Sequence, residues 1–232
     1  MRNVLHEVPS TDLHGIPLQA TRFVRHDHIE GQDVLDIGCG FGWFELFALA
    51  NRVRSITGIE IAEPDLATAR AHVKAPNVGF LVASAIDLPF DDATFDTVVC
   101  WEVLEHIPAN TEPQAFREIA RVLRPGGRVY LSTPHASLTA RVFDPAWWLI
   151  HHRHYKATDL ESFARNADLS LDLLEIRGGR WLIASILNLY IAKWIFRRRP
   201  FLERYVNEQV DVEMARASGS SGCFLRATRV AY

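Results

Sequence analysis

The chain predicts an α/β fold: a doubly wound, open and mostly parallel sheet with helices on both faces. Two observations carry that expectation. Short apolar runs alternate with amphipathic or apolar helical stretches from Val34 to Ser132, as buried parallel strands and their crossover helices do. Such crossovers are right-handed, which leaves the doubly wound sheet as the economical topology. The second observation is VLDIGCGFGWF at Val34–Phe44. Four strand-like residues there enter a glycine-rich turn that opens a helix, the start of a nucleotide-binding half.

Length and composition set the frame. The chain has 232 residues, 48% of them hydrophobic, enough for one sizeable core, so one domain is expected. A net charge of −3 and a pI near 6.4 give no reason to expect nucleic acid. The opening MRNVLHE lacks the apolar core of a secretory signal. Cys39, Cys100 and Cys223 lie far apart without metal-ligand spacing, which reads as reduced packing residues of a cytosolic protein.

Residues 1–30 read as an N-terminal helical cover, with a helix over Leu18–His28. Residues 31–177 read as the ligand-binding core. Its strands are expected at Val34–Ile37, Ser55–Ile59, Val78–Val82, Phe95–Trp101, Arg128–Ser132 and Leu169–Ile176. Its helices are expected at Phe44–Asn51, Glu63–Lys74, Pro113–Leu123 and Ala157–Ala167. Pro64 sits in a first turn, where its missing N–H costs nothing, and Thr158 with Glu161 has capping-box spacing. Residues 178–219 form an apolar insertion, and residues 220–232 carry a final strand over Gly222–Val230.

Within the insertion, Trp181–Phe196 is apolar apart from a narrow stripe at Ser185, Asn188 and Lys193, and Arg197–Arg199 follow. It is too short for a comfortable membrane span. A helix lying in a membrane interface fits Trp181–Arg199; a lid over the site or a homodimer contact fits it too. The expected location is cytoplasmic, with peripheral attachment to the inner face of a membrane as the added reading.

The chemistry starts at Asp36. A carboxylate at the mouth of the glycine turn would repel a pyrophosphate and attract an ammonium or sulfonium. The glycines Gly38, Gly40 and Gly42 also fall at every second position, unlike a dinucleotide fingerprint. Glu60, ending the second strand, can accept hydrogen bonds from both hydroxyls of a ribose. Further on come SAIDLPFDDATFD at Ser84–Asp96, VVCWEVLEHI at Val98–Ile107 and RVLRPGG at Arg121–Gly127.

In this order and spacing, these segments resemble the class I S-adenosylmethionine (SAM) dependent methyltransferases, in the small-molecule and lipid branch of methyltransferase type 11. The resemblance covers Val34 to Pro134. It implies a Rossmann-like, seven-stranded sheet with an antiparallel last strand, and SAM as cofactor. It implies a cofactor site at Asp36, Gly38, Cys39, Gly40, Phe41, Gly42, Glu60, Ile61, Ser84, Ala85, Ile86, Trp101 and Glu102. Ser84 stands where the family usually has the Asp that receives the adenine amino group, which predicts weaker cofactor binding.

The resemblance implies SN2 transfer of a methyl group to a hydroxyl or carbon of a small, apolar or lipid-linked acceptor. A general base is needed only where the acceptor keeps its proton; His106, His135 and His154 are the candidates. His151-His152-Arg153-His154-Tyr155 is similar to a family segment that fixes the loop near the pocket. Its tight spacing, without an adjacent acid, predicts no metal site. Trp147-Trp148 is expected to line an apolar acceptor pocket or to continue the membrane-facing surface. Two other readings stand beside this one: a SAM-binding regulatory or scaffold protein, and an oxidoreductase, against which Asp36 and the glycine spacing argue.

Overall fold

The central strands alternate faces although nearly every residue in them is apolar. In the computed structural model, which describes residues 8–138, 142, 147 and 152–231, β1 spans Asp33–Ile37, β2 Ser55–Glu60, β3 Val78–Val82, β4 Phe95–Trp101 and β5 Leu123–Pro134. They are followed by β6 (Leu169–Arg177) and β7 (Gly222–Arg229). Val34, Val99, Trp101, Tyr130 and Phe224 face one core, while Leu35, Ile37, Val98, Leu131 and Leu225 face the other. A strand buried on both sides must be apolar throughout, so its period of two shows only in three dimensions.

The sheet order is β3-β2-β1-β4-β5-β7-β6. Strands β1 to β5 run parallel, and β7 inserts antiparallel between β5 and β6. The fold is therefore the seven-stranded, doubly wound sheet with an antiparallel last strand. One face is covered by α4 (Glu112–Val122) and α5 (Ala157–Arg165), through Phe116, Ile119, Leu160 and Ala164. The other carries α1 (Gly15–Phe23) and α2 (Trp43–Ala50), through Ala20, Phe23, Phe44 and Ala48. Helix α3 (Glu63–His72) buries Leu66 and Ala69.

Several elements depart from the sequence expectation. The expected helix Leu18–His28 begins earlier and stops at Phe23, because Val24 turns extended so that His28 and Ile29 reach the core. The His28 Nδ1 lies 2.5 Å from the Tyr130 hydroxyl. Strand β5 begins at Leu123, with Pro125-Gly126-Gly127 absorbed as a register shift against β4. At the start of α5 it is Asp159, not Glu161, whose carboxylate accepts the Lys156 N–H, at 3.2 Å.

The insertion is a pair of helices. Helix α6 (Arg180–Tyr190) passes into a π-helical turn, Ile191–Phe196, that ends at Arg197 with φ +50°. A further helix, α7 (Glu203–Met214), then packs back on α6. It closes the second face of the sheet with Val210 and Met214. Its acids cap two other helices. Glu213 accepts the N–H groups of Gly179, Trp181 and Leu182 at 2.8 to 3.0 Å, and Asp211 accepts that of Gly15 at 2.7 Å. Such N–H groups have no partner within their own helix, and carboxylates there also meet the positive end of the helix dipole.

Candidate active site

A cleft of about 350 Å³ opens at the carboxyl ends of β1, β2 and β4, the edge at which doubly wound sheets bind ligands. Gly38, Glu60, Ile61, Ser84, Ala85, Glu102 and His106 line it together. They come from four separate stretches of sequence. Val103 and Asp65, which sequence reasoning did not single out, line it as well.

The glycine turn is shaped by backbone need. Gly38 has φ +76°, and a Cβ there would collide with the Val103 side chain; only glycine meets both conditions at low cost. The N–H groups of Gly38 and Cys39 donate to the Ile59 carbonyl at 2.8 and 3.0 Å, tying the turn to β2. Cys39 is buried, and burial pushes its thiol well above the ordinary range. Gly40 and Phe41 are half-buried. Gly42, with φ +90°, packs against Ala69 and Val73 and starts α2. These four residues support the turn and do not line the cleft. Nor do Ile86, packed against the first core, and Trp101, packed between Phe44 and Phe224 in the second.

Beneath the turn lies a cluster of buried acids. Asp36 is 2% exposed with one oxygen unpartnered, and Glu45 is fully buried with both oxygens unpartnered. Burial raises the Asp36 carboxyl well above its usual value, with the neighbouring Glu45 and Glu60 adding to the rise. Burial likewise raises Glu45, to about 8. Glu60 is held at the rim, where its Oε1 accepts the N–H groups of Ile61 and Ala62 at 2.8 and 3.3 Å. Glu102 has φ +54°, a conformation that non-glycine residues adopt at a cost, and its Oε1 accepts the Ser132 hydroxyl at 2.6 Å. Buried carboxylates without partners beside a glycine turn fit a cationic ligand, as the sulfonium and ammonium of SAM require.

The three candidate bases separate. His106 stands at the cleft rim. His135 lies outside the cleft lining, its Nδ1 3.1 Å from the Ser220 carbonyl. His154 is 8% exposed and stacks near Trp147, with centroids 5.0 Å apart. Trp148 and His151 fall outside the described residues. The segment around them does fix a loop. Arg153 reaches the Leu104 carbonyl at 2.8 Å and Glu112 at 3.1 Å, and the Tyr155 hydroxyl lies 2.8 Å from the same carbonyl. This anchoring carries His152 to His106, which spacing along the chain did not show.

Residues 35–131 match the family model of a methyltransferase domain. That span holds most of β1, all of β2 to β4, most of β5 and the whole cleft lining. A ubiquinone biosynthesis O-methyltransferase from Xanthomonas oryzae pv. oryzae is 32% identical over 179 residues, covering 67% of this chain and 72% of that protein. The chain belongs to the SAM-dependent methyltransferases. A protein of the same name from Pseudomonas aeruginosa is 37% identical over 138 residues, 56% of this chain and 57% of its own length. The solved structure of a SAM-dependent methyltransferase from Mesorhizobium loti shares the fold, with a TM-score of 0.64 at 17% identity over 90% of this chain and 95% of that one. SAM is accordingly the cofactor of this methyltransferase. Among the described residues, no helix is long and apolar enough to cross a membrane.

Proposed function

We propose that this methyltransferase methylates a hydroxyl oxygen of a small, largely apolar acceptor, and that cofactor and acceptor meet in the cleft between Glu60 and His106. The observation that carries this reading is the one cleft that joins the glycine turn, Glu60, Ser84, Ala85, Glu102 and His106. The choice of oxygen is supported by the relatives, which are named O-methyltransferases.

SAM supplies a methyl on a sulfonium; in-line displacement by the acceptor oxygen leaves S-adenosylhomocysteine, and the hydroxyl proton passes to a base or to solvent. The residues mainly align the partners, which accounts for much of the rate of such a displacement. Gly38 lets the cofactor approach the backbone, and the buried acids Asp36 and Glu45 can ionise beneath the turn when the cationic cofactor is bound. The free oxygen of Glu60 takes the ribose hydroxyls, while Ser84 and Ala85 meet the adenine edge. Ser84 offers that edge a neutral hydroxyl, whose Oγ already accepts the Ile86 N–H of its own turn at 3.4 Å. Glu102 flanks the methionine portion. Of the three histidines, His106 is the one that borders the acceptor space.

The test is calorimetric and then chemical. SAM and S-adenosylhomocysteine should bind and NAD should not. Incubating the protein with cell extract and methyl-labelled SAM should place label on oxygen in an apolar product. Label on carbon or nitrogen would refute the acceptor assignment.

The tip of the insertion supports an acceptor delivered from an anionic membrane surface. Trp194, Ile195, Phe196 and Leu202 are 64, 70, 57 and 77% exposed, beside the cationic Arg197–Arg199. Apolar side chains flanked by arginines are what an interfacial anchor presents. The protein should sediment with anionic vesicles, and a triple Trp194→Ser, Ile195→Ser, Phe196→Ser variant should not. Absence of sedimentation by the intact protein would leave a lid or a contact between copies as the use of this tip.

A further inference from the structure

A second cavity, of about 340 Å³, lies at the opposite edge of the sheet from the cofactor cleft. Strand pairing builds its floor. On β5 and β7, Arg128 stands opposite Thr228 and Arg226 opposite Tyr130. Directly paired residues share a face, and Tyr130 marks it as the face of the second core. Arg128 lies beside Thr97, near the start of β4, so the cavity is at the amino edge of the parallel strands. On β6 a register shift between Leu171 and Leu173 leaves Asp172 unpaired, and such a bulge re-aims a side chain. Asp172 thereby reaches Arg226 and Thr228. The segment after α1 supplies Arg25 and His28 from above.

Charge in this cavity is unbalanced, with three arginines facing two acids. Arg25 is held by Asp27 through hydrogen bonds of 3.0 and 2.9 Å. Asp172 accepts the Thr228 hydroxyl at 2.8 Å and stands 3.6 Å from the Arg226 Nε, too far for a hydrogen bond. That Nε is buried without a hydrogen-bond partner among the described residues. The Arg128 guanidinium makes neither a hydrogen bond nor an ion pair among them. His28 is buried, and loss of solvent, then Arg128, lowers its pKa to about 4. Its ring is thus neutral at neutral pH and leaves the excess to the arginines, which cannot shed a proton. A buried cationic N–H without an acceptor is costly. A ligand that brings oxygen acceptors and negative charge removes both costs.

We propose that Arg128 and Arg226, with Arg25 at the rim, bind the phosphate group of a small molecule at a site separate from the cofactor cleft. Guanidinium forks match the paired oxygens of a phosphate, and a phosphomonoester carries close to two negative charges at neutral pH. A cavity of about 340 Å³ falls among those that hold small molecules. The bound phosphate joins the N-terminal cover to the sheet, because Arg25 belongs to the cover and Arg128 and Arg226 to β5 and β7. It therefore raises the Tm of the chain as its concentration rises. None of this rests on the acceptor reading above.

The full chain is titrated at constant ionic strength with inorganic phosphate and with glycerol 3-phosphate, by calorimetry and by NMR of the His28 ring. About one ligand per chain is expected. The ring faces Asp27 at 3.9 Å, the Tyr130 hydroxyl and the three arginines. An anion among those arginines makes it easier to protonate, so its pKa should move up from about 4. Arg128→Gln and Arg226→Gln should each weaken binding roughly 10- to 100-fold, with a cooperative thermal transition retained. Arg128 has no partner to lose, so its variant keeps the test open should Arg226→Gln fail to fold. Arg165→Gln, at an exposed position on α5, should bind as the parent does. Tighter binding of glycerol 3-phosphate identifies a monoester as the ligand, and equal binding identifies phosphate itself. No saturable binding of either probe overturns the proposal, as does binding that survives the pocket variants or a His28 pKa that stays put at saturation.

Discussion

Replacing Glu45 with Gln should raise the stability of the cofactor-free protein at pH 8 and not at pH 5. Glu45 lies in the first turn of α2, fully buried, with neither carboxylate oxygen partnered. Two effects oppose each other. The helix N-terminus favours the anion by about 0.3–1 kcal/mol, whereas burial lifts the pKa from 4.5 to about 8. At about 1.4 kcal/mol per pH unit, that lift corresponds to about 5 kcal/mol, so burial wins. The folded-state pKa lies above the unfolded one, so the fold retains the proton longer than the open chain does. The stability gained by holding it is complete below about pH 4.5 and is lost as pH rises toward about 8. Gln cannot ionise and escapes that loss. It also removes the charge that adds to the rise at Asp36, which acts in the same direction. At roughly 2–4 °C per kcal/mol for a chain of this size, the Tm difference between variant and parent should widen by about 10 °C from pH 5 to pH 8. Thermal melts by circular dichroism across that range measure it. A difference that stays flat with pH would refute the picture of a buried acid kept neutral by the fold.

Other positions give separate readouts. Glu60→Ala should weaken SAM binding by calorimetry roughly 10- to 100-fold, the scale of a charged hydrogen-bonding partner, with little change in Tm. Gly38→Ala should cost about 2 kcal/mol or more in denaturant unfolding, from its positive φ and the collision with Val103. Adding Val103→Ala should recover the steric part alone. Glu213→Ala removes the acceptor from three N–H groups at the start of α6. It should lower stability by about 1–2 kcal/mol and expose the insertion to limited proteolysis first.

Where the sequence was informative, the signal was local. Val78–Val82 and Phe95–Trp101 fall on β3 and β4 with the expected bounds, because each is a single run of strand-forming residues bounded by turn residues. Helix α7 was not anticipated, although Val206, Val210 and Met214 recur at four-residue spacing on the face packed into the second core. The charged residues between them masked that stripe. Two of those residues, Asp211 and Glu213, are charged for a reason outside their own helix, since they cap α1 and α6. A polar residue whose partner is the end of another helix leaves no periodic trace.

The same contrast divides the cleft. The glycine turn, Glu60, Ser84 and Glu102 are each recognisable because a strand end carries them to one edge, so knowing the strands is enough to know their neighbourhood. Glu45 reads as part of an apolar helix, since nothing in WFELFALA marks the acid as buried. His152 depends on more. Its neighbours in sequence are histidines and an arginine, and none of them points to His106. The contact arrives through the fold: Arg153 and Tyr155 bind the Leu104 carbonyl, and that grip sets the segment against Glu105 and His106. Because the segment is fixed to one carbonyl by both Arg153 and Tyr155, Arg153→Ala should loosen it and make it the first site of limited proteolysis, while SAM affinity stays near that of the parent. Cleavage there at the parent's rate would mean that Tyr155 alone holds the segment.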